Sequence, residues 1–244
     1  VPSSAPEKST SWWHTSERTA PEWPTNLRTK AKSVARQCRI VKSAPPALSD
    51  EMADELAKIH SIPVDRLPFL RDADPFEIFY EELDSIEESH PAVELGLVWA
   101  RERIPLERPR VIGHGDFRLG NLVVDESGLV SVLDWEFSHV SDPAEDVAWP
   151  LVRAWRFGRD ELRMGGVGEV EPYVDRYAEL TGREIPLDEL YAWEVLGNCK
   201  WAIGALRQGR RHLRGEDRSV EFAILGRLAA EMEYEILDLI RRAA

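Results

Sequence analysis

The chain has 244 residues, 43% of them hydrophobic, and a formal net charge of −13. That length allows a sizeable buried core, so the fold needs no disulfide or metal staple. The acidic balance disfavours a general role on nucleic acid or anionic membrane surfaces, and the sequence lacks an apolar run of about 18 residues that could span a bilayer.

Residues 1–49 differ in kind from the rest, holding eight Lys/Arg against three Glu, while residues 50–244 hold 23 basic against 41 acidic residues. The segment is rich in Pro, Ser and Thr, its Trp12, Trp13 and Trp23 follow no period, and only Arg39-Ile40-Val41 hints at a strand. It reads as an irregular or poorly ordered basic segment, with Val1 not an initiator residue and upstream sequence expected. Cys38 and Cys199 stand apart without a CxxC or a paired His, which points to a reducing, cytoplasmic setting.

From residue 50 the pattern is mainly helical. Met52, Leu56 and Ile59 recur at helical spacing behind a Ser49-Asp50 cap, and Phe76, Phe79, Tyr80, Leu83 and Ile86 behind Asp74-Pro75. Further helices are expected around Tyr173, Tyr177 and Leu180 up to Gly182, from Leu190 to about Leu206, and over Leu225, Leu228, Met232, Ile236 and Leu239. Strands are expected only in one region. They are Val111-Ile112, Leu122–Val124 and Val130–Leu133, with Asp125-Glu126-Ser127-Gly128 turning between the last two. The helical spacing of Tyr191, Trp193 and Trp201 favours core over a pocket lining, and Trp155 is read with them.

That strand region carries the chemistry. A hairpin over 122–133 returns the chain beside its origin, so Asn121 before it and Asp134 after it emerge at one end. An amide and a carboxylate, completed by phosphate oxygens and water, suit octahedral Mg²⁺. Asp116, five residues ahead of Asn121, can stay off the metal and take a proton from an incoming hydroxyl. Glu136 is either a further metal-side carboxylate or a solvated charge. His114 reads as a structural histidine bonding backbone within the loop. Asp142-Pro143-Ala144-Glu145 reads as N-cap, N1 proline and N3 glutamate, and Asp146 as a brace facing back from that helix onto the loop.

The stretches HGDFRLGN at 114–121, LDWE at 133–136 and SDPAEDVAW at 141–149 resemble the aminoglycoside phosphotransferase family of the protein-kinase-like fold. WRFG at 155–158 and the segments 191–213 and 218–240 are similar to the branch containing the N-terminal domain of acyl-CoA dehydrogenase family members 10 and 11. The resemblance implies a mainly α (α+β) C-terminal kinase-like lobe over 50–244, with a catalytic loop at 111–121, a metal loop at 133–146 and acceptor-side helices over 150–242. It implies Asp116 as base and Asn121 and Asp134 as ligands for Mg²⁺ and ATP. The implied acceptor is a small hydroxylated molecule such as a hydroxy acid or its acyl thioester.

Family members also carry an N-terminal lobe with a glycine-rich phosphate loop, whereas no glycine precedes Gly96 here. That lobe is expected to be missing, with a second copy or a partner chain covering its place. Three functions therefore stay open: an ATP-dependent phosphotransferase impaired by the absent lobe, an inactive truncated kinase-like binding module or partner subunit, and a metal-dependent phosphohydrolase using Asp116, Asp134 and Glu136.

Overall fold

The computed structural model describes residues 44–105, 107 and 110–243. Its helices are α1 (Leu48–His60), α2 (Pro75–Asp84), α3 (Pro91–Arg101), α4 (Pro143–Ala148), α5 (Val170–Thr181), α6 (Leu187–Leu213) and α7 (Val220–Arg242). Four short strands sit between α3 and α4: β1 (Val111–Gly113), β2 (Leu122–Asp125), β3 (Gly128–Val132) and β4 (His139–Ser141). The mainly helical expectation holds. Residues 1–43, including Arg39-Ile40-Val41 and Cys38, lie outside the described residues.

The helices form where apolar spacing coincides with a stop or a start. Asp74 caps α2 by accepting from the Phe76 N–H at 2.8 Å, Pro75 occupies the first turn, and Phe76, Phe79 and Leu83 turn inward. Gly182 ends α5 in the left-handed region at φ 67°, as its place in the pattern predicts. The expected Ser49-Asp50 cap on α1 is corrected: Ala47 holds the cap position without a side-chain bond, because the helix begins directly after Pro45-Pro46. Ser49 and Asp50 lie inside the first turn instead.

α6 and α7 form an antiparallel pair whose backbones close together at Gly209 and Gly226, where a Cβ on Gly209 would stand 2.8 Å from the Gly226 Cα. α3 packs across both, with Gly96 against Cys199 and Ile236. This helix escaped the sequence reading, although His90-Pro91 starts it and Val93, Leu97 and Ala100 mark its buried face. α6 also runs from Leu187 to Leu213, well beyond the expected 190–206. Cys199, buried in this layer, is a free thiol. No described helix is long and apolar enough to cross a membrane.

Two antiparallel strand pairs position the loops. β2 and β3 form the predicted hairpin with altered limits: Leu122 faces Val132 and Asp125 faces Gly128, leaving Glu126-Ser127 as the turn. Asp125 stabilises that turn by accepting from the Ser127 N–H at 2.7 Å. β4 was not expected, and it pairs with β1 through Val111↔Ser141 and Gly113↔His139. A strand of three residues leaves too little alternation to read. The stretch 150–169, assigned beforehand to acceptor-side helices, is instead short turns at Trp149–Leu151 and Arg153–Trp155 followed by a loop. Pro150 and Gly158, Gly165, Gly166 and Gly168 interrupt helical propagation there.

Candidate active site

The loop leaving β1 is held from below by one buried carboxylate. Asp146, in the first turns of α4, accepts from the His114 N–H at 2.6 Å and the Gly115 N–H at 2.9 Å. His60 at the end of α1 reaches the same carboxylate at 3.2 Å, and its other ring nitrogen meets the Tyr177 hydroxyl at 2.7 Å. Burial pushes the Asp146 carboxyl up, but these bonds and the neighbouring histidines hold it well below the usual carboxylate range. The His114 ring lies 3.0 Å from the Leu133 carbonyl through Nε2 and takes the Asp116 N–H at 3.2 Å on Nδ1. It therefore joins the loop to the end of β3 rather than facing a substrate.

Asp116 is the centre of the arrangement. Its Oδ1 accepts from the Trp149 indole Nε1–H at 2.7 Å and from Arg118 Nε at 3.0 Å, while Oδ2 accepts from the Asn121 amide at 2.6 Å. Donors on both oxygens lock the plane of the carboxylate. The Arg118 guanidinium lies 4.3 Å from the centre of the Trp155 ring, which packs on Trp149 at 5.6 Å and on Trp201 at 6.4 Å. An aromatic wall thus borders the carboxylate. Trp155 and Trp201 are half-buried members of it, whereas Trp193 is buried in the core and Tyr191 hydrogen-bonds Arg163.

Asn121, Asp134 and Glu136 gather at the open end of the hairpin. The Asn121 carbonyl accepts from the Leu133 N–H at 2.8 Å, which brings both strand ends together. Asp134 adopts a left-handed conformation at φ 69°, ψ 58°, tolerable for Asp and rare for side chains in general. Burial raises the Glu136 pKa, and the charges of Asp134 and Asp116 raise it further. Glu136 stands near enough to Asp134 and Asp116 to feel both charges, and Asp134 with Asn121 offers oxygen donors of the kind a divalent cation takes. The Asn121 side-chain nitrogen is spent on Asp116, so its Oδ1 is the atom free to serve one. Among the described residues no group of three or more His, Cys, Asp or Glu forms a preset metal cluster. Mg²⁺ requires none, since it takes one or two carboxylates and completes its shell with phosphate and water.

The expected N3 role of Glu145 is corrected. Asp142 does cap α4, accepting from the Ala144 N–H at 2.8 Å, but the Glu145 carboxylate turns to His139 at 3.1 Å and Lys200 at 3.2 Å. Burial pushes the Glu145 pKa up, yet the charges of His139 and Lys200 outweigh it and hold the carboxyl at about 2. Sequence reasoning also missed Trp149, Arg118 and His60 as supports. Arg118 stands inside the motif, and Trp149 closes the SDPAEDVAW stretch. His60, 86 residues from its partner Asp146, leaves no local signal.

The profile of the Phosphotransferase enzyme family matches residues 28–193, beginning inside the segment set apart in the sequence. Acyl-CoA dehydrogenase family member 10 of Mus musculus is 30% identical over 59% of this chain, and the match spans 14% of that much longer relative. A crystal structure from Ralstonia eutropha JMP134, assigned as an aminoglycoside phosphotransferase, shares 23% identity with a TM-score of 0.68, covering 81% of this chain and 65% of its own. Choline kinase LicA from Streptococcus pneumoniae, a protein also solved with AMP, gives 20% identity and a TM-score of 0.54 over 79% of this chain and 65% of its own. The architecture is therefore the kinase-like aminoglycoside phosphotransferase fold, mostly helical with small sheets.

Proposed function

This chain belongs to the phosphotransferase enzyme family, and on that premise we propose that it is an ATP-dependent small-molecule kinase acting on the hydroxyl of a small acceptor such as a hydroxy acid or its acyl thioester. The observation that carries this reading is the state of Asp116, a carboxylate held by Trp149, Arg118 and Asn121 beside an aromatic wall. Such a group orients an acceptor hydroxyl and takes its proton as the phosphoryl group leaves for that oxygen. Asn121 and Asp134, with Glu136 beside them, would hold Mg²⁺, which neutralises charge on the phosphate oxygens. Arg118 keeps the base in plane, and Asp146 keeps the loop beneath it from shifting. Residues 150–242 supply the acceptor side, with Trp155 and Trp201 as its floor.

A second reading, an inactive kinase-like binding module, applies to residues 1–244 taken alone, because no glycine precedes Gly96 and residues 1–95 therefore contain no glycine-rich phosphate loop. Turnover by residues 1–244 alone is accordingly expected to be impaired, with nucleotide contacts coming from outside this segment. The test measures ADP release from Mg²⁺-ATP across hydroxy acids, hydroxyacyl thioesters, choline and aminoglycosides, alongside calorimetric titration with Mg²⁺-ATP. Acceptor-dependent ADP release supports the kinase. No release with any acceptor, together with no heat of nucleotide binding, establishes the binding module.

A further inference from the structure

Lys200 is a buried cation to which the chemistry above gives no role. It lies in the middle of α6 with its side chain 6% exposed, and Nζ donates to the Gly115 carbonyl at 2.9 Å and to Glu145 at 3.2 Å. The same nitrogen stands 4.6 Å from the centre of the Trp149 ring. Taking an ammonium out of water is costly, and an apolar side chain would fill the same volume without that cost. Two of these neighbours, Gly115 and Trp149, lead directly to Asp116. Gly115 precedes it in the chain at φ +80°, pressed so close to the next segment that a Cβ would stand 2.3 Å from the Phe137 carbonyl oxygen. Trp149 donates its indole N–H to Asp116 Oδ1 at 2.7 Å.

A cation over an indole is attracted by the ring's negative face and polarises the system towards itself. That draws electron density from the pyrrole nitrogen and makes Nε1–H a stronger donor, as in any chain of linked hydrogen bonds. Asp146 grips the loop by the N–H of Gly115, and Lys200 grips it by the carbonyl of the same residue. The peptide planes on either side of the left-handed Gly115 are thereby fixed from two sides, and the carboxylate that follows is fixed by the polarised indole.

We propose that Lys200 is a positioning residue for Asp116, setting both the backbone that presents the carboxylate and the strength of the indole bond that orients it. Its effect on rate rests on the reading of Asp116 as the base, whereas its effect on the indole bond does not. The experiment uses the full chain labelled with ¹⁵N-tryptophan, with the Trp149 Nε1–H resonance identified by its loss in Trp149→Phe. In Lys200→Met that resonance moves upfield and exchanges faster with solvent, while Lys200→Arg keeps it near the wild-type position. On an acceptor that the wild type turns over, Lys200→Met lowers kcat about 10- to 100-fold, with KM for Mg²⁺-ATP and acceptor within about twofold, and Lys200→Arg restores much of it. If the methionine variant does not fold, Lys200→Gln, which keeps a donor without the charge, carries the same two outcomes. An unmoved Trp149 resonance in a folded, uncharged variant overturns the proposal. A wild type without turnover on any acceptor would defeat the kinase reading and leave the resonance measurement to decide on Lys200.

Discussion

Replacing Asp116 by Asn tests the proposed chemistry at its centre, and the structure indicates how the damage divides. Removing a general base costs typically 10²–10⁴-fold in rate, or about 2.7–5.4 kcal/mol of transition-state free energy. In this site both carboxylate oxygens are acceptors, Oδ1 for Trp149 and Oδ2 for Asn121. An asparagine offers one oxygen, so if that oxygen stays on Trp149 its NH₂ meets the Asn121 amide donor. The two donors repel, while the Asn121 NH₂ stays tied to the residue 116 backbone carbonyl at 2.9 Å, so the Asn121 side chain shifts and carries with it the oxygen available to Mg²⁺. The expected outcome is a kcat lowered at least 10²-fold together with a raised Mg²⁺ concentration for half-maximal rate. Steady-state ADP release at varied Mg²⁺, with a thermal melt of the same preparation, reads both effects. A folded Asp116→Asn protein keeping kcat within about tenfold of wild type would refute the assignment of the base.

Acid should unfold the protein through its buried carboxylates. Glu145 falls from 4.5 to about 2 on folding and Asp146 is lowered too, so their contribution is complete above about pH 4.5 and drains as pH falls towards 2. For Glu145 alone the loss is of order 3 kcal/mol, and a urea midpoint unchanged between pH 6 and pH 3 would contradict it. Arg156, 4% exposed, donates to the Leu151 carbonyl and to Glu194 and Glu235, themselves nearly inaccessible. Arg156→Met should destabilise by about 1.5–3 kcal/mol in denaturant titration, because Glu194 and Glu235 each lose a guanidinium partner while keeping Arg163 and Arg153, and an unchanged midpoint would contradict this.

Residues close in sequence made the heart of the site legible. HGDFRLGN and LDWE lie within a single hairpin's reach, so the spacing of Asn121 and Asp134 already implied that a turn would bring them to one end, with Asp116 on the loop leading in. Periodicity likewise revealed α2, α5 and α7, because a repeat of apolar positions is a local property of the chain. β4 has only three residues, and α3 was passed over despite its Pro91 start. What surrounds Asp116 was decided elsewhere. Trp149 comes 33 positions later, Lys200 reaches Gly115 across 85 positions and His60 reaches Asp146 across 86. A lysine within an otherwise apolar helix stretch or a histidine closing an amphipathic one has no local partner to betray its role. Only the packing of α1, α4 and α6 around the loop puts these groups within hydrogen-bond range, in surroundings dry enough for each bond to matter.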